Sequence, residues 1–123
     1  MKLHADAASA LNTVTAYGPG FIEINRQRHD GAVLLMPEGP VRAWAAQTID
    51  QLDATAVAEL LALGPEIVLI GTGPTQRLLH PRITAPLSQA RIGVDLMDSR
   101  AACRTYNILM AEGRKVLAAL LPL

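Results

Sequence analysis

With 123 residues, half of them hydrophobic and only four aromatic, the chain fits one domain built on an aliphatic core, and its composition excludes a disordered tail. A formal charge of zero argues against a dedicated nucleic-acid binder, which needs a net basic surface to neutralise phosphates. The single cysteine, Cys103, excludes an intrachain disulfide and a cysteine-based zinc site, and no run reaches the ~18 apolar residues of a membrane span.

The charge is unevenly spread. Residues 1–71 carry four basic and eight acidic side chains, residues 72–123 seven basic and three acidic. Such an imbalance either draws two halves together within one fold or orients a partner or a small anion. At the N-terminus, Lys2 is followed early by Asp6, without the apolar stretch of a secretory signal or the character of a transit peptide, so a cytoplasmic location is expected.

Residues 1–11 show neither alternation nor a firm cap and are expected to form a loose arm. Thr13 to Tyr17 alternates, Gly18-Pro19-Gly20 breaks the chain, and Ile22 and Ile24 alternate with Glu23 and Asn25, which predicts two half-buried strands. His29-Asp30-Gly31 then offers the positive φ values of a tight turn, so an antiparallel hairpin into Ala32 to Met36 is expected. After Pro37-Glu38-Gly39-Pro40, the segment Val41 to Ala45 alternates, with Arg42 and Trp44 on one face.

The period changes after Ile49. Asp53 is placed to cap a helix in which Val57, Leu60 and Leu61 share a face, and Gly64 and Pro65 end it. Glu66 to Gly73 follows, with four branched aliphatic residues in a row; lack of alternation over so short a run predicts a strand covered on both faces, expected to be central. Ala85 to Arg91 reads as a short helix with Pro86 in its first turn, Gly93 to Met97 as a strand, and Asp98 or Ser99 as the cap of a helix running to about Ala111 and closed by Gly113. Val116 to Leu121 supplies a last apolar strand. A meander of about four strands is thus followed by a β-α-β-α-β run, whose second half requires a parallel or mixed sheet with crossover helices.

Gly71-Thr72-Gly73 at the end of a buried strand invites a dinucleotide reading, but Pro74 follows and Gln76 holds the third glycine position, so no close approach to a pyrophosphate is provided. Thr72, Gly73 and Gln76 still offer a hydroxyl, a backbone amide and a carboxamide at a strand's carboxyl end, where α/β sheets commonly bind ligands. On the last helix Arg100, Arg104 and Asn107 form a polar stripe beside the apolar stripe of Ala102, Tyr106 and Leu109. Arginines in the first turns oppose the helix dipole, so they should meet a carboxylate such as Asp98, carbonyls or a partner. Cys103 lacks a neighbouring histidine and reads as a packed small hydrophobe. His4, His29 and His80 show no ligand spacing, and no serine sits in a nucleophile elbow, so no catalytic residue, metal site or cofactor is implied.

Three segments, Ile70-Gly71-Thr72-Gly73-Pro74-Thr75-Gln76, Ile92 to Ser99 and Ala101-Ala102-Cys103-Arg104-Thr105-Tyr106-Asn107-Ile108-Leu109, together closely resemble the Mth-type domain-of-unknown-function family. The resemblance spans roughly Ala16 to Leu121, and the family includes bacterial stand-alone domains, a mitochondrial complex I assembly factor and an adipogenesis-associated human protein. It implies one α/β domain over residues 1–123, with a mixed central sheet flanked by helices and an additional antiparallel β layer from the N-terminal half. It implies no reaction. A non-catalytic protein-interaction or assembly-type domain is therefore expected, with a protein partner. The alternative is a small anionic ligand, or a cryptic reaction, served by Thr72, Gly73 and Gln76 together with Arg100, Arg104 and Asn107.

Overall fold

The computed structural model describes residues 11–123, so the arm expected over residues 1–11 lies, Leu11 apart, outside the described residues. Strands β1 (Val14–Gly18), β2 (Phe21–Ile24) and β3 (Gln27–Asp30) form an antiparallel sheet in sequence order. Strands β4 (Val33–Leu35), β5 (Arg42–Ala43), β6 (Ile67–Gly71), β7 (Gly93–Met97) and β8 (Val116–Leu120) form a second sheet in the order β5-β4-β8-β6-β7. In that sheet β8 pairs antiparallel with β4 and parallel with β6, and β6 pairs parallel with β7. The helices are α1 (Ala54–Ala58, tightening into a 3-10 turn through Leu63), α2 (Pro81–Gln89) and α3 (Ser99–Ala111). The fold is thus α/β, with a mixed sheet, flanking helices and a separate antiparallel layer.

Alternation along the larger sheet divides the interior into two cores. Val33, Leu35, Leu69, Val116, Ala118 and Leu120 point to one face, where they meet α3 through Ala102, Cys103 and Tyr106 and the small sheet through Ile22 and Ile24. Val68, Ile70, Leu117, Ala119 and Leu121 point to the other face, against α1 and α2 through Val57, Leu60 and Leu87 and against Trp44. All five residues of β8 are wholly buried. Its two alanines lie in register between larger neighbours, Ala118 between Leu35 and Leu69 and Ala119 between Leu34 and Ile70, which leaves room for those side chains on both faces.

Four expectations from the sequence are corrected here. The middle position of the sheet belongs to β8 rather than to β6, because β8 alone is paired on one edge with the antiparallel β4 and on the other with the parallel β6. The tight hairpin turn is Asn25-Arg26, where both residues have positive φ and join β2 to β3, whereas Gly31 (φ +80) carries the chain across from one sheet to the other. A left-handed arginine gives no sequence signal of this kind. Strand β5 is only two residues long, shorter than the expected Val41 to Ala45, although the Trp44 N–H still donates to the Ala32 carbonyl; Trp44 is buried while Arg42 is exposed. Helix α2 starts at Pro81 rather than Ala85: His80 caps it, its Nδ1 accepting from the Arg82 N–H at 3.1 Å, and Pro86 falls inside.

Enlarging a residue in the middle of β8 should overfill the core between the sheet and α3. Ala118→Leu is expected to lower unfolding stability by about 1–3 kcal/mol, read from the urea midpoint, with the secondary-structure content of the folded state retained.

Candidate functional site

The parallel arrangement of β6, β7 and β8 brings the turns that follow β6 and β7 to one edge of the sheet. There β6 runs into Thr72-Gly73-Pro74-Thr75-Gln76, and β7 runs into Asp98, which caps α3 by accepting from the Ala101 N–H at 2.9 Å. Ser99 ties these segments together. Its N–H donates to the Gly73 carbonyl (2.8 Å), its Oγ accepts from the Gly73 N–H (2.9 Å), and the same hydroxyl donates to the Leu121 carbonyl (2.7 Å). Ser99 is completely buried, and Gly71 is what allows it to sit there: a Cβ at position 71 would lie 2.8 Å from Ser99 Oγ and 2.9 Å from a Leu120 methyl.

The loop is internally bonded. Thr72, 4 % exposed, donates through Oγ1 to the Thr75 carbonyl at 2.8 Å and accepts from the Arg77 N–H at 3.1 Å. Gln76 Nε2 donates to the Leu96 carbonyl of β7 at 3.1 Å. A cavity of about 350 Å³ adjoins the loop, with Thr48, Asp50, Thr72, Thr75 and Arg77 on its walls.

Of the six residues singled out from the sequence, Thr72, Gly73 and Gln76 form this one group, and the N-terminus of α3 meets it. Arg104 and Asn107 reach the small sheet instead, and Arg100 is exposed on the same helix. Asn107 is engaged on both sides of its carboxamide, Oδ1 accepting from the Val14 N–H (3.0 Å) and Nδ2 donating to the Val14 carbonyl (2.9 Å), as a neighbouring strand would. Arg104 Nη1 donates to the Tyr17 hydroxyl at 3.1 Å. Among the described residues neither arginine pairs with Asp98 or another acid; the ion pairs found there are Arg28–Asp30 and Arg114–Glu66. Along the outer face of α3, Arg100, Arg104 and Ile108 recur at four-residue spacing, and Ile108 is 59 % exposed.

Sequence reasoning missed Tyr17 and Ile108, and it weighed Ser99 only as a cap or a stray serine. Ile108 shared the four-residue spacing of the arginines and could have been found from it; Ser99 could not, because its role depends on the distant Leu121.

Cys103 is buried on the inner face of α3, and burial pushes its thiol up to about 12, so it offers no thiolate nucleophile. Burial likewise raises the Tyr106 phenol, whose hydroxyl donates to the Asn12 carbonyl at 2.7 Å. Among the described residues no group of three His, Cys, Asp or Glu side chains could hold a metal ion, and no helix is long and apolar enough to cross a membrane.

The chain is similar in sequence and fold to known proteins. A family model described as a protein of unknown function, DUF498/DUF598, matches residues 14–121. The chain belongs to that family. A crystal structure from Bordetella parapertussis is 51 % identical with a TM-score of 0.87, covering 92 % of this chain and 97 % of its own. A solution structure from Bordetella pertussis, described as a Mth938-like domain, is 45 % identical with a TM-score of 0.81 over 99 % of this chain and 92 % of its own, in accord with the Mth-type resemblance. Among curated relatives, the bovine NADH dehydrogenase [ubiquinone] 1 alpha subcomplex assembly factor 3 is 33 % identical over 105 residues, 84 % of this chain. The matched region spans 56 % of that relative's length.

Two outcomes follow from this geometry. Ser99→Ala removes the partners of the buried Gly73 N–H and Leu121 carbonyl, and each orphaned group costs about 1–3 kcal/mol, so a comparable loss is expected in denaturant unfolding together with faster hydrogen exchange at Gly73. Separately, the folded chain holds the Cys103 thiol protonated to about pH 12, while the unfolded chain releases its proton from about pH 8.5. Stability supplied by this group is complete below that lower value and is lost as pH rises above it; Cys103→Ala should flatten the alkaline slope of unfolding free energy against pH.

Proposed function

We propose that this protein is a non-catalytic interaction domain of the assembly type, and that the outer face of α3 is where a protein partner binds. The observation that carries the reading is the stripe Arg100, Arg104 and Ile108: two arginines without an acidic partner among the described residues, in line with an exposed isoleucine. Neither feature serves the helix. Cations near a helix N-terminus are disfavoured by about 0.3–1 kcal/mol each when exposed, and the inner face already fills its core with Ala102, Cys103 and Tyr106.

An arginine pair beside an apolar anchor fits an acidic partner surface with an apolar residue at its centre. The curated relative named as a complex I assembly factor supports an assembly role. Asn107, committed to β1, is left out of the binding surface; Tyr17, which orients Arg104, is added.

A small anion held by Thr72, Gly73 and Gln76 is the competing reading, supported by the adjoining cavity. It is less favoured because Thr72 Oγ1, Gly73 N–H and Gln76 Nε2 are already bonded within the protein and Asp50 shares the cavity wall.

The test uses the full chain, tagged in its native host, with quantitative mass spectrometry of what it retains. Arg100→Glu combined with Arg104→Glu is expected to reduce a stoichiometric partner at least tenfold while the unfolding free energy stays within about 0.5 kcal/mol, as for exposed sites. A retained partner unaffected by this reversal of charge would defeat the α3 surface.

A further inference from the structure

At the opposite edge of the larger sheet, where the parallel strands begin, lies a cavity of about 470 Å³ that the reading above does not use. Its volume falls within the roughly 300–1,000 Å³ of small-molecule sites. Three elements meet there: the end of α1 through Leu63, the last turn of α3 through Met110, and the segment after β4 through Met36. These side chains make an apolar floor, and unbranched methionines adapt to varied apolar shapes.

The rim carries charge of both signs and is held in place. On one side Asn12 Nδ2 donates to the carbonyls of Met36 and Gly39, both at 2.8 Å, which fixes the turn bearing Glu38. On the other, Glu66 Oε1 accepts from Arg114 Nε and from the Lys115 N–H, both at 3.0 Å. Glu66 thereby offsets Arg114 and anchors the backbone that presents Lys115. Among the described residues Glu38 and Lys115 take part in no ion pair, with each other or with another residue. The cavity therefore has an apolar floor with a carboxylate, Glu38, on one rim and an ammonium, Lys115, on the other, neither of them held in an ion pair among the described residues, although Glu66 lies within Coulombic reach of Lys115.

We infer that this cavity binds a small apolar zwitterion of about the size of a hydrophobic dipeptide, its carboxylate at Lys115 and its ammonium at Glu38. A purely anionic amphiphile would leave Glu38 facing like charge, and a purely cationic one would do the same at Lys115. The cavity's volume of about 470 Å³ leaves room for two aliphatic side chains over the floor of Met36, Leu63 and Met110. The site lies away from Arg100, Arg104 and the Thr72 loop, so it stands or falls independently of the partner surface.

The experiment is titration calorimetry of the full chain with L-leucyl-L-leucine, and with its N-acetylated and C-amidated analogues, which each lack one charge. Saturable one-site binding is expected, weaker by roughly tenfold for either analogue, as for loss of one charged hydrogen bond. Glu38→Gln should weaken the parent dipeptide by a similar factor and leave the acetylated analogue unchanged; Lys115→Met should do the converse with the amide. Both positions are exposed, so the variants fold. In parallel, the methyl resonances of Met36 and Met110 should shift on addition of the dipeptide. Absence of saturable binding, binding indifferent to both caps, or shifts centred on Thr72 to Gln76 would each overturn the assignment.

Discussion

Everything in this molecule is arranged around a strand that has nowhere to expose itself. Strand β8 is Val-Leu-Ala-Ala-Leu, buried on both faces and paired on both edges, and each of its side chains must be covered by a different layer. Val116, Ala118 and Leu120 require α3 and the small sheet; Leu117 and Ala119 require α1 and α2. At about 25 cal/mol per Å² of apolar surface removed from water, burial on both faces makes β8 a strand that both cores share. The small sheet accordingly packs as part of one core rather than as an appendage, with Ile22 and Ile24 in the same cluster as Val116 and Leu120.

Helix α3 joins the parts that β8 brings together. Its inner side fills one core, its first residue closes the turn after β6 onto the segment after β8, and its middle grips β1. Asn107 does this by presenting a donor and an acceptor to a strand edge whose backbone groups need both. The two arginines and Ile108 fall on the exposed side of the helix, where Arg104 still reaches the Tyr17 hydroxyl. An interaction surface on so firmly seated an element is pre-organised, which lowers the ordering cost of binding.

Much of the fold could be read from local patterns. Asp53 and Asp98 announced their helices correctly because capping is a contact between a side chain and backbone three residues on, and both bonds are present. The doubly covered character of Ile67 to Ile70 was likewise visible in the lack of alternation. What was not visible depended on distance. The hairpin was displaced because Asp30-Gly31 carries the stronger turn chemistry, while Asn25-Arg26 turns under the pull of pairing between β2 and β3. The start of α2 was hidden because Pro86 reads as a first-turn proline and histidine is an unusual cap. For the site, chemistry by residue type singled out Thr72, Gly73 and Gln76 at one edge of the sheet, but not which hydrogen bonds were already satisfied; Asn107 looked available from its helical position and is not.

The order in which the strands are connected differs from the order in which they sit, and this bears on how the chain is made. The strand between β4 and β6 comes after both of them in sequence, with β7 and α3 intervening. A nascent chain therefore emerges with the small sheet able to form early, since its contacts are local, while β4 and β6 each wait with an apolar edge that has no companion. Until Val116 to Leu120 leaves the ribosome, the two cores cannot close. The domain has a built-in interval of vulnerability during synthesis, when two apolar strand edges are presented at once.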